Sequence, residues 1–94
     1  DAHMDDPLAG MRLTSKYFGR LTRAIADVAH ATARGRLVAI TEGGYDLTGL
    51  ATSLRASIGA LAGETTSSVP LGPAPRGEAT IKAVTQHLAN HWQL

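Results

Sequence analysis

A short run of apolar residues, Leu37–Ile40, constrains the fold of this chain more than any other feature. Arg36 and Thr41 bound the run, which is too short for a helix and partly β-branched. A continuous apolar run of this length is typical of a strand buried on both faces, as in a parallel sheet covered by helices. The sequence therefore predicts a strand over residues 36–41.

That strand has no convincing partner among the other segments of the chain. Burying its backbone N–H and C=O groups without a neighbouring strand would be costly. We therefore expect the chain to be part of a larger α/β domain, or to pair with another copy of itself. Its start at Asp1, without an initiator methionine, also indicates a fragment.

Three further segments carry apolar side chains at spacings of three and four residues, which is the pattern of amphipathic helices. In the second of them, the stripe from Leu47 to Leu61 is expected to be buried. The fold class predicted from this pattern is α/β, rich in helix with one clear strand. The predicted order is a loop at 1–13, a helix at 14–34, the strand, a turn at 42–46, a helix at 47–62, a connector at 63–77 and a helix at 78–92.

Composition narrows the class of partner. Hydrophobic residues make up 44% of the 94 residues and charged residues 18%, a balance typical of globular chains. The net charge of +1 gives no reason to expect a nucleic acid or a membrane surface as partner. The chain has no cysteine, which excludes disulfides and thiolate zinc sites and fits a cytoplasmic protein.

The turn after the predicted strand is the strongest candidate for a functional site. Ligands of parallel α/β sheets bind beyond the carboxyl ends of the strands, where Glu42–Asp46 lies. Gly43 and Gly44 allow a ligand to approach the backbone, and the Tyr45 phenol could donate a hydrogen bond to a developing oxyanion. From spacing alone, a sharp strand-to-helix turn with a packing tyrosine is the favoured interpretation. A nucleotide-binding turn is a weaker interpretation, because Glu42 would repel an anion.

Two motifs give the chain a family resemblance. Asp1-Ala2-His3, followed by Asp6–Met11 and Leu13-Thr14, resembles a segment of the zinc-dependent histone deacetylase, acetoin utilization and acetylpolyamine amidohydrolase family. Glu42–Tyr45 is similar to the later Gly-Gly-Tyr loop of that family. The resemblance implies the C-terminal part of a three-layer α/β/α domain with a parallel sheet, the arginase–deacetylase fold.

The resemblance also implies roles for individual residues. Asp1 would be a carboxylate ligand of a zinc cofactor. Leu8 would line the acyl-lysine tunnel, and Gly43 and Gly44 would form part of the pocket wall. Tyr45 would hydrogen-bond the carbonyl oxygen of the substrate, an acetylated lysine or polyamine, opposite the zinc.

The chain departs from the family pattern in what it lacks. The family needs a further aspartate and a histidine on zinc, together with a histidine pair for proton transfer, and this chain does not carry them. We therefore expect the isolated chain to be inactive and to need the remainder of the deacetylase domain. The alternative from a different class is a non-catalytic helical module for interaction or dimerisation.

Other polar residues receive less specific interpretations. Asp5 and Asp6 stand beside Pro7 and are expected to be turn residues and not a paired carboxylate site. His3 could support the Asp1 site or serve the fold. His87 and His91 share one face of a predicted helix and are expected to face solvent.

Overall fold

The computed structural model describes residues 1–65 and 74–92, and within them it contains three helices. Helix α1 spans Ser15–Ala33, α2 spans Leu47–Leu61 and α3 spans Pro75–Leu88. A loop precedes α1, and its two ends run parallel to each other at a bridge between His3 and Leu13.

Local sequence explains where the helices begin and end. The N-terminus of α2 is capped by Asp46, whose side chain accepts a hydrogen bond from the N–H of Gly49. Helix α1 ends where Arg34 and Gly35 adopt positive φ angles of 55° and 75°. Helix α3 begins three residues before its predicted start, because Pro75 is well suited to the first turn of a helix.

The strand predicted at residues 36–41 is not formed, which corrects the interpretation of the apolar run. Residues 36–45 adopt neither helix nor strand, and the side chains of Val38 and Ile40 are 83% and 81% exposed. The physical reason is the one that the sequence raised: within residues 1–65 and 74–92 no strand is available to complete a ladder. The predicted connector at 63–77 lies partly outside the described residues.

Helices α1 and α2 pack against each other, with Gly19 of α1 lying against Ala56 of α2. Between them, the two helices bury Gly19, Ala26, Ala29, Gly49, Ser53, Gly59 and Ala60. The large apolar stripe predicted to be buried on α2 is instead mostly outside this contact, since Leu47 is 78% and Ile58 63% exposed. On α1, Ile25 is likewise 56% exposed. Because glycine and alanine let the two backbones approach closely, the bulkier side chains are left at the margins of the contact.

Hydroxyl groups on the two helices also form hydrogen bonds across this contact. The Oγ atom of Ser15 lies 2.8 Å from Oγ1 of Thr52, and Thr22 donates to Oγ of Ser57 over 3.1 Å. These bonds join residues that are 37 and 35 positions apart in the chain. The pairing of α1 with α2 therefore fixes how the segments before and between the helices meet.

Helix α3 differs from the other two because none of its residues is buried. Among the described helices, α1 and α2 form the one pair in contact. No helix within the described part of the chain is long and apolar enough to cross a membrane.

A substitution at Gly19 tests the close approach of the two helices. A Cβ atom placed there would lie 3.1 Å from the carbonyl oxygen of Ala56. We expect Gly19→Leu to lower the free energy of unfolding by about 1–3 kcal/mol, because the larger side chain forces the backbones apart. The matched control is Ala24→Leu, at an exposed position on the same helix. Equal urea midpoints for the two variants would contradict the packing described.

Candidate active site

The carboxylate of Asp6 joins the N-terminal loop to the turn before α2. Its Oδ1 atom accepts a hydrogen bond from the N–H of Leu8 over 3.0 Å, and its Oδ2 atom accepts one from the N–H of Tyr45 over 2.7 Å. The N–H of Asp46 also donates to Oδ2, over 3.3 Å. Asp6 is only 7% exposed. One buried side chain thus holds two segments that are 39 residues apart.

These bonds change the acidity of Asp6. The backbone N–H groups of Leu8 and Tyr45, with a smaller contribution from that of Asp46, hold the pKa of Asp6 below its ordinary value of 3.8. Desolvation acts in the opposite direction and is outweighed. The side chain is therefore ionised at neutral pH and accepts all three hydrogen bonds as a carboxylate.

A second carboxylate, that of Asp1, contacts the same turn. Its Oδ1 atom accepts a hydrogen bond from the N–H of Gly44 over 2.7 Å, across 43 residues of sequence. Gly43 and Gly44 both adopt positive φ angles, 66° and 94°. A Cβ atom on Gly43 would overlap the Asp1 carboxylate, and one on Gly44 would lie 2.8 Å from Leu50. Both glycines are needed here for their conformation and for the space they leave.

Beside this turn lies a cavity of about 580 Å³ between residues 39–44 and the two packed helices. Three of the residues singled out from the sequence line it, namely Asp1, Gly43 and Gly44. Its helical wall is largely apolar and includes Phe18, Leu50, Leu54, Ile58 and Leu61. The polar groups of the lining include the carboxylates of Asp1 and Asp6.

The other two predicted site residues lie outside the lining of this cavity. The side chains of Leu8 and Tyr45 are 61% and 60% exposed. Their backbones are nevertheless held together, because both N–H groups donate to Asp6. The structure thus brings the two sequence motifs side by side and leaves the tyrosine ring accessible.

His3 serves the fold around this site. Its Nε2 atom lies 3.1 Å from Oγ of Ser15, and its Nδ1 atom lies 3.3 Å from the backbone nitrogen of Asp5, which donates to it. The ring also lies so close to Gly49 that a Cβ atom there would be 2.6 Å from Nδ1. His3 therefore ties the loop to the start of α1 and to α2.

The donor set limits what metal the described residues could hold by themselves. A catalytic zinc ion usually takes three protein ligands. Within residues 1–65 and 74–92, no three histidine, aspartate or glutamate side chains are grouped closely enough for that purpose. Any zinc ion held here would need ligands from outside these residues.

Sequence reasoning missed the central part of Asp6. It is a turn residue, as expected, because its side chain accepts from the N–H two positions on, but it also reaches the turn before α2. The one available signal was a short carboxylate directly before Pro7, which favours such a local hydrogen bond. Nothing in the spacing indicated the distant donors.

Two glycine substitutions separate backbone strain from the Asp1 contact. Gly10 and Gly43 have similar φ angles of 62° and 66°, but a Cβ atom on Gly10 would meet nothing within 4 Å. We expect Gly10→Ala to cost about 1–2 kcal/mol from the left-handed backbone alone. Gly43→Ala should cost more and should also speed amide hydrogen exchange at Gly44, because Asp1 is displaced. Equal effects of the two variants would contradict the contact.

The lowered pKa of Asp6 predicts how stability depends on pH. Since the folded-state pKa lies below the unfolded value, the carboxylate stabilises the fold at every pH above about 4. That contribution disappears as the pH falls through the folded-state pKa, which lies below 3.8. We expect Asp6→Asn to remove this component of the acid dependence, measured by urea unfolding between pH 6 and pH 2. Asp5→Asn is the matched control and should keep it.

Comparison with known proteins gives the family of the chain. Residues 1–61 match the family described as Histone deacetylase domain. The chain is 41% identical over 64 residues to histone deacetylase 14, chloroplastic, of Arabidopsis thaliana, and 49% identical over 45 residues to the histone deacetylase-like amidohydrolase of Pseudomonas aeruginosa. It is 30% identical over 95 aligned positions to the polyamine deacetylase HDAC10 of Homo sapiens.

These alignments cover 68%, 48% and 99% of the chain, respectively. They cover only 15%, 12% and 14% of the relatives, so the chain corresponds to a small part of each. The family match includes both the N-terminal loop and the Gly-Gly-Tyr turn, which the two carboxylates join. Because that match extends over residues 1–61, which is more than half of the chain, the chain belongs to the histone deacetylase family.

Proposed function

We propose that the chain is the C-terminal part of a zinc-dependent deacetylase domain that hydrolyses acetyl-amides of lysine or polyamines. Family membership supports the reaction class, and the relatives include proteins named histone deacetylase and polyamine deacetylase. The observation that carries the proposal is the pair of carboxylates, Asp1 and Asp6, which hold the N-terminal loop against the Gly-Gly-Tyr turn.

Tyr45 is the residue that acts on the substrate in this proposal. Its phenol donates a hydrogen bond to the carbonyl oxygen of the acetyl-amide, on which negative charge grows as the tetrahedral intermediate forms. The exposed ring is available for this contact. The backbone N–H of Tyr45 is held by its hydrogen bond to Asp6, so the main-chain position from which the phenol extends is fixed.

Asp1 contributes one carboxylate ligand to the zinc site. When bound, zinc would polarise the substrate carbonyl and lower the pKa of a water molecule. Asp1 is oriented by the N–H of Gly44, and Gly43 and Gly44 form part of the wall facing the substrate. Leu8, held beside the turn through Asp6, lines the path of the acyl chain. The remaining ligands and the histidine pair come from the rest of the domain, and the isolated chain is accordingly inactive.

The rest of the domain also completes the fold in this proposal. Residues 36–41 join a parallel sheet between layers of helices, as in the arginase–deacetylase fold. Their high exposure here supports that arrangement, because Val38 and Ile40 are apolar side chains without a covering layer. Ile25 and Ile58 on the helices would be covered in the same way.

The same exposed side chains favour a second candidate, a non-catalytic module that dimerises through its apolar faces. The two candidates differ in what they require of Tyr45. A module that only binds another copy of itself makes no use of a phenol, whereas the deacetylase depends on it. Replacing that one hydroxyl therefore separates them.

We expect Tyr45→Phe in the complete protein that carries this chain to lower kcat for an acetyl-lysine substrate by about 10²–10³-fold, because one donor to the oxyanion is lost. Zinc content should be unchanged, because the phenol is not a ligand. The measurements are steady-state kinetics and metal analysis of the purified protein.

The matched control is Tyr17→Phe, at the other tyrosine of the chain, which lies on α1 beneath the guanidinium of Arg20. It should change kcat by no more than about twofold. An unchanged rate in Tyr45→Phe would remove Tyr45 from the mechanism. A complete protein that binds zinc yet releases no acetate from any acetyl-lysine or acetyl-polyamine would favour the module.

A further inference from the structure

We propose that Asp6 is a positioning residue for deacetylation: its buried carboxylate fixes the backbone of Tyr45 so that the phenol meets the substrate carbonyl. The inference rests on the proposed function of Tyr45. Asp6 itself touches neither substrate nor metal and acts through the main chain of Tyr45, which contacts the substrate.

The first support is the number of donors on one side chain. The N–H groups of Leu8, Tyr45 and Asp46 all point at the two oxygens of Asp6. The bond from Tyr45 is among the shorter ones, at 2.7 Å, and lies in a part-buried environment. A charged acceptor with several N–H donors makes stronger hydrogen bonds than a neutral one. The position of the Tyr45 amide is therefore strongly determined.

The second support is the weakness of the other restraints on Tyr45. Two glycines with positive φ angles, Gly43 and Gly44, precede it, and glycine has the largest conformational freedom of any residue. The ring itself is 60% exposed, so packing holds it only in part. The restraints on its far side come from Asp46, which caps α2 and also donates to Asp6. Removing Asp6 would leave the backbone of Tyr45 held through its neighbours alone, by the bond from Gly44 to Asp1 and by the Asp46 cap on α2.

The third support is that only a carboxylate fits this pattern of donors. Asparagine has the same shape but offers one acceptor oxygen and one NH2 group. Whichever way its amide is turned, the NH2 group would face at least one N–H donor. Asp6→Asn therefore disturbs the anchor with almost no change in volume. A displacement of about 1 Å in a positioned group can cost about 10²-fold in rate.

A double-mutant cycle distinguishes positioning from a general effect on the fold. In the complete protein, we expect Asp6→Asn to lower kcat by about tenfold or more when Tyr45 is present. In the Tyr45→Phe background the same change should lower kcat by less than about twofold, because the group that Asp6 positions is already gone. Asp5→Asn, at a neighbouring exposed carboxylate, should have little effect in either background.

Each outcome of the double-mutant cycle supports or contradicts the positioning role of Asp6. The same loss in both backgrounds would mean that Asp6 serves only the fold, and no loss in either would mean that it does not position Tyr45. A large loss for Tyr45→Phe with none for Asp6→Asn would leave the proposed function standing and overturn this inference alone. A full rate in Tyr45→Phe would overturn both.

Amide hydrogen exchange of the unmodified protein provides a test if Asp6→Asn fails to fold. The Tyr45 and Asp46 amides donate to a buried carboxylate, so we expect their exchange to be slowed by about tenfold or more relative to unstructured peptide rates. Unprotected exchange at Tyr45 would overturn the inference.

Discussion

The hydrogen bonds accepted by the Asp6 carboxylate are the interaction on which the rest of the site depends. They join a loop at the start of the chain to a turn 39 residues later. Neither segment has regular secondary structure of its own that could hold it in place. The packing of α1 on α2 brings the two within reach, and the carboxylate of Asp6, assisted by that of Asp1, then sets their relative position.

The helices and the missing strand illustrate one physical difference. A helix satisfies its backbone groups within a few residues, so α1 and α2 form from the segments in which the sequence predicts them. A strand satisfies its groups only on neighbours, and Leu37–Ile40 finds none in the described part of the chain. The same apolar run therefore forms neither helix nor strand and is exposed here.

The sequence predicted the helices and the two loops that form the candidate site, because caps, glycines and apolar periodicity are local signals. It did not predict which side chains the helices bury. Bulky residues such as Ile58 dominated the pattern, whereas the observed contact uses Gly19 and Ala60. The role of Asp6 in joining the two loops was also not predicted, since hydrogen bonds between distant segments produce no regular spacing in the sequence. The predicted roles of Asp1 on zinc and of Tyr45 on the substrate came from the family resemblance and not from periodicity.

Because three backbone N–H groups donate to the one carboxylate of Asp6, the motions of their residues are linked. If the Asp6 side chain swings outward, Leu8, Tyr45 and Asp46 lose their partner in the same event. The motions of the start of the chain and of the Gly-Gly-Tyr turn are thus coupled at Asp6, while the bond from Gly44 to Asp1 still joins the two segments. Thermal fluctuation at either edge of the cleft is felt at the other, although the two edges are held by loops and not by a common helix.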